Sequence, residues 1–165
     1  MSRRLGLCVL RVVCVGLAVA CSSDEGSWRT ANGEIAVSRV AAPAPANVGS
    51  SSATTMAVYA TIANTGTSAD TLMSVMTPAA RGAGLHETID LGGTQMMVLA
   101  EHFVIPANGV ARLQPGRTHV MLTGLRRSFV PGDTVPLVFT FRRAGPVGVN
   151  ASVFSYEDLQ RALEP

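Results

Sequence analysis

From residue 55 onward the sequence is a series of short apolar runs, each closed by turn-forming residues. "TMAVYATIAN" alternates along its length and ends at Asn64-Thr65-Gly66. "DTLMSVMTP" follows, then "GLHETIDL" and "TQMMVLA" on either side of Gly92-Gly93. "HFVIP", "GVARLQP", "THVMLTGL", "DTVPLVFTFRR" and "VGVNASVF" complete the series. A side-chain period of two, with turns every 8 to 12 residues or so, is the pattern of an all-β sandwich of about eight or nine strands. "GEIAVSRV", at 33–40, reads as a possible extra first strand, and "YEDLQRAL" as one or two turns of helix. The 165 residues, 47% hydrophobic and 15% charged, suit one folded domain rather than a disordered chain. There is no internal repeat and no Gly-rich phosphate loop.

The N-terminus has a different grammar. "MSRR" supplies positive charge, "LGLCVLRVVCVGLAVA" an apolar stretch, and "CSSDEGS" an abrupt polar exit. This is the tripartite form of a secretory signal covering residues 1–20. Arg11 interrupts the apolar stretch, which is short for a membrane span of about 20 residues. Cleavage reads two ways. Ala18-Val19-Ala20 is an A-x-A site for ordinary signal peptidase. Cys21, preceded by Val19-Ala20 and followed by a Ser-rich tether, has the form of a lipobox, with Ala18 where Leu is commoner. The lipoprotein reading, with Cys21 lipidated, is preferred. Residues 22–53 then read as a flexible linker around the 33–40 strand, 54–155 as the sandwich, and 156–165 as a short tail.

Cys8, Cys14 and Cys21 all lie within or at the end of the signal. A mature body without cysteine has no disulfide framework, no thiol nucleophile and no thiolate metal ligand. Removing Arg3, Arg4 and Arg11 leaves ten basic residues, all Arg, against eleven acidic ones. A near-neutral body with no basic cluster argues against nucleic acid as a partner.

The chemistry-bearing residues are few. The histidines are His86, His102 and His119, and two of them have methionine nearby. In "THVML", His119 and Met121 stand two apart, so on a strand they share a face. If Gly92-Gly93 is a two-residue turn, Leu91 pairs with Thr94 and Met97 with Thr88. His86 and Met97 become diagonal neighbours on one face, roughly 7–8 Å apart at the backbone. Glu87 and Met96 point the other way. A one-residue slip would exchange Met97 for Met96.

Two imidazoles and two thioethers make a neutral, soft donor set. It suits Cu(I) and not Mg, Ca or Zn. A blue-copper electron-transfer site needs a Cys ligand, which the mature body lacks. The set therefore reads as a carrier site. Both imidazoles must be neutral to bind, so acid should weaken it.

The gaps His86–x10–Met97, Met97–x21–His119 and His119–x–Met121 resemble the H-x10-M-x21-H-x-M signature of the PCuAC periplasmic copper chaperones, with all four positions in register. "AVYATIANTG", "LHETID", "IPANGVARLQPGRTHVMLTGL" and "GDTVPLVFTF" are similar to the family's phrases, and the resemblance spans about residues 33–153. It implies a cupredoxin-like Greek-key β-sandwich with one Cu(I) held by His86, Met97, His119 and Met121. It also implies delivery toward the CuA centre of cytochrome c oxidase, through a CuA subunit or a Sco-type assembly factor. The chain departs from many members in having Glu87, not Met, after the first histidine. His102 reads as a surface or structural residue, and Met73 and Met76 as core packing. The Arg pairs of "LRRSF" and "FRRAG" read as solvated loop ends. No serine, histidine and acid arrangement stands out, so an enzyme is not expected. The competing reading is a metal-free structural or adhesive sandwich on a lipid tether.

Overall fold

The computed structural model describes residues 26–45 and 54–164. The signal at 1–20 and the lipidation site Cys21 lie outside the described residues. Among those described, eleven strands and one helix form: β1 (Trp28–Arg29), β2 (Ile35–Pro43), β3 (Thr55–Asn64), β4 (Asp70–Met76), β5 (Ala80–Leu91), β6 (Thr94–Leu99), β7 (Phe103–Ile105), β8 (Gly109–Leu113), β9 (His119–Leu125), β10 (Thr134–Phe141), β11 (Gly145–Phe154) and α1 (Tyr156–Leu163).

Strand β3 is shared between two wings. Its first half, Thr55–Val58, pairs with β9, and its second half, Ala60–Asn64, pairs with β8. One wing continues from β3 through β9 and β5 to β6. The other continues through β2, β11, β10 and β4 to β7. The pairing of β11 with β2 is parallel, while the other strand pairs are antiparallel. The wings close on one core, where Leu85, Val120 and Leu122 from the first meet Leu72, Phe139 and Val149 from the second. That cluster is the sandwich interior the alternation implies.

The strand expected at 33–40 runs instead from Ile35 to Pro43, between β3 and β11 in the middle of the sheet. The linker reading fails there for a local reason. Arg39 takes a positive φ of 50°, and the β2–β3 register shifts between Ser38 and Ala41. A bulge changes the parity of a strand. Ile35 and Val37 face the core before it, and Val40 and Ala42 after it. The broken alternation, followed by Ala-Ala-Pro, hides the second half of the strand. β1, only two residues long, also falls in the stretch read as linker, and β5 begins at Ala80, before the expected Gly84.

Buried side-chain hydrogen bonds tie the ends of the strands. Asn64 Oδ1 accepts from Gly66 N at 2.9 Å while its Nδ2 donates to Ser68 O at 3.0 Å. Asp70 accepts from Thr71 N and Arg143 N with Oδ1 and from Ala144 N with Oδ2, joining the start of β4 to the β10–β11 turn. Met73 and Met76 are exposed, not core. Met73 sits where the β4–β10 register shifts, and Arg142 Nη2 lies 3.5 Å from its sulfur.

Helix α1 is capped by Ser155, whose hydroxyl accepts from Asp158 N. Its Leu159 is buried with Ala41 and Tyr59 in a second, small cluster on the outer side of β2 and β3. The expected tail is thus a docked element, and its position matters for the site.

Candidate metal centre

The site is built on the outer face of the β9–β5–β6 wing. On β9, Val120 and Leu122 turn inward, which sends His119 and Met121 outward. On β5, Leu85 pairs with Val120 on the core side, and the next pair is His86 with His119. Directly opposed residues have Cβ atoms about 5 Å apart. Accordingly, the two imidazole rings lie 6.1 Å between centroids, 24° from parallel. A first-row metal sits about 2 Å from an imidazole nitrogen, so rings at this spacing have room to share one ion.

The hairpin register is the one the two-glycine turn implies. Leu91 pairs with Thr94, Thr88 with Met97 and His86 with Leu99. Gly92 and Gly93 both have positive φ, 66° and 91°, as a tight hairpin turn requires. Met97 therefore lies diagonal to His86 on the His86 face, while Met96, paired with Ile89, points the other way. Met121 pairs with Gly84 on one side and Ala57 on the other. Two small neighbours leave its thioether room to move. His86, Met97, His119 and Met121 thus fall on one face of three adjacent strands.

A hydrogen bond assigns the tautomer of one of the two histidines. His119 Nδ1 lies 2.9 Å from Arg117 O. A carbonyl only accepts, so Nδ1 carries the proton and Nε2 keeps its lone pair. His86 Nδ1 is 3.4 Å from Gly84 O, a much weaker restraint. On its far side the His119 ring meets Tyr59, with centroids 6.3 Å apart and planes tilted by 56°. Burial first, and the neighbouring Tyr156 second, push the Tyr59 phenol above its usual range, so it stays neutral beside the site. Among the described residues no three His, Cys, Asp or Glu side chains cluster as a metal site. The candidate donors on this face are two imidazoles and two thioethers.

The remaining candidates lie elsewhere. His102 is exposed in the turn before β7, and Glu87 pairs with Val98, facing away from His86. Glu87 lines a cleft of about 370 Å³ together with Arg112 and Arg117. Two residues of the face carry no local signal in the sequence, Tyr59 and Gly84, whereas the hairpin arithmetic already sets Leu99 opposite His86. Alternation in "AVYATI" is enough to turn Ala57 and Tyr59 to one side. Which strand lies beside them is a long-range pairing that no local pattern encodes.

The sandwich, with His and Met side chains on the outer face of one wing, is a fold of the PCuAC type. Among solved structures, the copper-bound PCuAC domain from PmoF2 superimposes with a TM-score of 0.64 at 19% identity, covering 78% of this chain and 97% of that one. The Cu(I) form of DR1885 from Deinococcus radiodurans gives a TM-score of 0.55 at 30% identity, covering 71% of this chain and 77% of that one. Residues 35–153 match the family described as "Putative lipoprotein LpqE-like", and the chain belongs to that family. A relative from Leifsonia xyli subsp. xyli, "Putative lipoprotein Lxx21020", is 33% identical over 102 residues. That match takes in 60% of this chain and 61% of the relative's length.

Proposed function

We propose that this protein is an exported copper carrier that binds one Cu(I) through His86 Nε2, His119 Nε2 and the thioethers of Met97 and Met121. The observation that carries the reading is the direct pairing of His86 with His119, with Met97 and Met121 on the same face. The 30% identical Deinococcus radiodurans protein, whose structure was solved as a Cu(I) form, supports the choice of metal. Four neutral donors, two of them thioethers, favour Cu(I) over Zn, which would want thiolate or carboxylate to balance its charge. A cysteine-free site also suits an oxidising compartment, where thiolates are drawn into disulfides.

The lipoprotein description of the family fits the lipobox at Cys21. No helix among the described residues is long and apolar enough to cross a membrane. Lipidation at Cys21 would hold the sandwich at the outer face of the membrane on residues 22–27. The cargo would pass to a copper-accepting protein, such as a CuA subunit of cytochrome c oxidase or a Sco-type factor. The chain's own residues bind and present the ion. They carry out no redox step.

Anaerobic Cu(I) titration against a chromogenic chelator tests this. The expected result is one equivalent withheld from the chelator by the wild type and none by the doubly substituted His86→Ala, His119→Ala chain. Tight retention by that double variant, or none by the wild type, contradicts it and leaves a metal-free sandwich as the better account.

A further inference from the structure

The three strands that carry the site, and β3 beside them, differ sharply in how much they expose. One transverse row crosses them: Tyr59 on β3, His119 on β9, His86 on β5 and Leu99 on β6, with His86 paired to both His119 and Leu99. Tyr59 is 9% exposed and His119 5%, whereas Leu99 is 71% exposed and Met97, two residues before it, 54%. The closed end has a physical cause. Leu159 of α1 packs on Tyr59, and Tyr59 packs on His119. The open end is equally explicable, since β6 is the last strand of its wing and has only β5 beside it.

Leu99 is large, apolar and exposed, yet it is placed where it matters. A Cβ added to Gly84 would lie 3.3 Å from Leu99 Cδ1 and 3.6 Å from His86 Cε1. The leucine thus leans over the bare backbone of Gly84, the residue paired with Met121. Its Cδ1 and the His86 ring border the same space, the one a Gly84 side chain would fill.

Resting on the carrier reading above, we propose that copper enters and leaves this protein over one edge only. That edge is β6, where Leu99 is a movable cover and Met97 the first ligand displaced. His119, held by Arg117 O and walled by Tyr59, is the last to let go. In the exchange step an incoming sulfur or nitrogen donor forms its bond to Cu(I) as the bond to the Met97 sulfur breaks. The metal remains Cu(I), no electron moves, and a proton is released only if the incoming donor is a thiol. The thioether leaves as a neutral group and needs no proton to do so.

The test times Cu(I) transfer from the loaded chain to the chelator bicinchoninate, with equilibrium affinity measured in parallel. A cover that is not a ligand changes entry and exit together and leaves affinity alone. Leu99→Ala should speed transfer by about tenfold and Leu99→Trp slow it by about tenfold, each with affinity unchanged. Tyr156→Trp, on the closed side at the start of α1, should change neither. With 13C-labelled methionine methyls in the loaded chain, substoichiometric chelator should broaden the Met97 resonance and leave Met121 sharp. Transfer rates that ignore both Leu99 substitutions, or that respond to Tyr156, overturn the one-sided route. Broadening of Met121 before Met97 overturns the order of release. A wild-type chain that never retains Cu(I) overturns the carrier reading itself, which is a different result from unchanged rates in a chain that does.

Discussion

His119 is the most restrained of the four proposed ligands. Its Nδ1 proton is committed to Arg117 O, one ring face meets Tyr59, and the other meets His86. Tyr59 needs its ring for this and not its hydroxyl. Tyr59→Phe should keep both stability and Cu(I) retention. Tyr59→Ala should lower stability by roughly 3 kcal/mol, as large-to-small aromatic truncations do, and should weaken Cu(I) retention in chelator competition. Thermal melts of the apo chain separate the two effects. Loss of stability with full copper retention in Tyr59→Ala would show that the ring packs the helix and does nothing for His119. At this scale the sequence was informative about donor types and blind to their neighbours. His86, Met97, His119 and Met121 are legible because soft donors at alternating positions are chemically unusual. Tyr59 and Gly84 look ordinary until β3, β9 and β5 are laid side by side.

Among the elements, the β5–β6 hairpin decides which methionine joins the histidines. Its register rests on Gly92 and Gly93 at positive φ, with Gly93 N bonded to Asp90 Oδ1 at 2.6 Å. Gly93→Val should cost about 1–2 kcal/mol locally. Because 1.4 kcal/mol is about tenfold in an equilibrium constant, Cu(I) affinity should fall by about that much. The apo melting temperature should barely move, since β6 contributes no buried side chain. Unchanged affinity would mean that the hairpin does not position Met97. This turn is readable because a two-glycine loop, taken as a two-residue turn, sets the pairing arithmetic. The bulge at Arg39 was not readable, because a parity change erases the alternation by which strands are recognised.

The β9–β10 loop offers a pH test of its own. Asp133 is held below the usual carboxylate range, first by the hydrogen bond from Arg127 and then by that from Val130 N. A depressed folded-state value means the contribution is present above the unfolded carboxylate pKa and is lost as pH falls through the folded one. Asp133→Asn should therefore melt slightly lower than wild type at neutral pH, and the two should converge in acid. A gap that persists at low pH would place its origin outside this ionisation.

For the molecule as a whole, one sandwich separates structural and functional work. The core between the wings holds the fold, and the outer face of one wing carries the proposed donors, closed by α1 at one end and open at β6 at the other. The all-β class and most strand positions were legible from period and turns, because each is a local property. The sharing of β3 between two wings and the docking of α1 over Tyr59 were not, because both are long-range pairings. The account's central claim is that this face holds one copper with two nitrogens and two sulfurs. X-ray absorption at the copper edge of the Cu(I)-loaded chain tests it most directly. The account predicts a single Cu(I) with two nitrogen and two sulfur scatterers, one sulfur fewer in Met97→Leu and one nitrogen fewer in His86→Ala. A shell of nitrogen and oxygen alone, unchanged by either substitution, would contradict it.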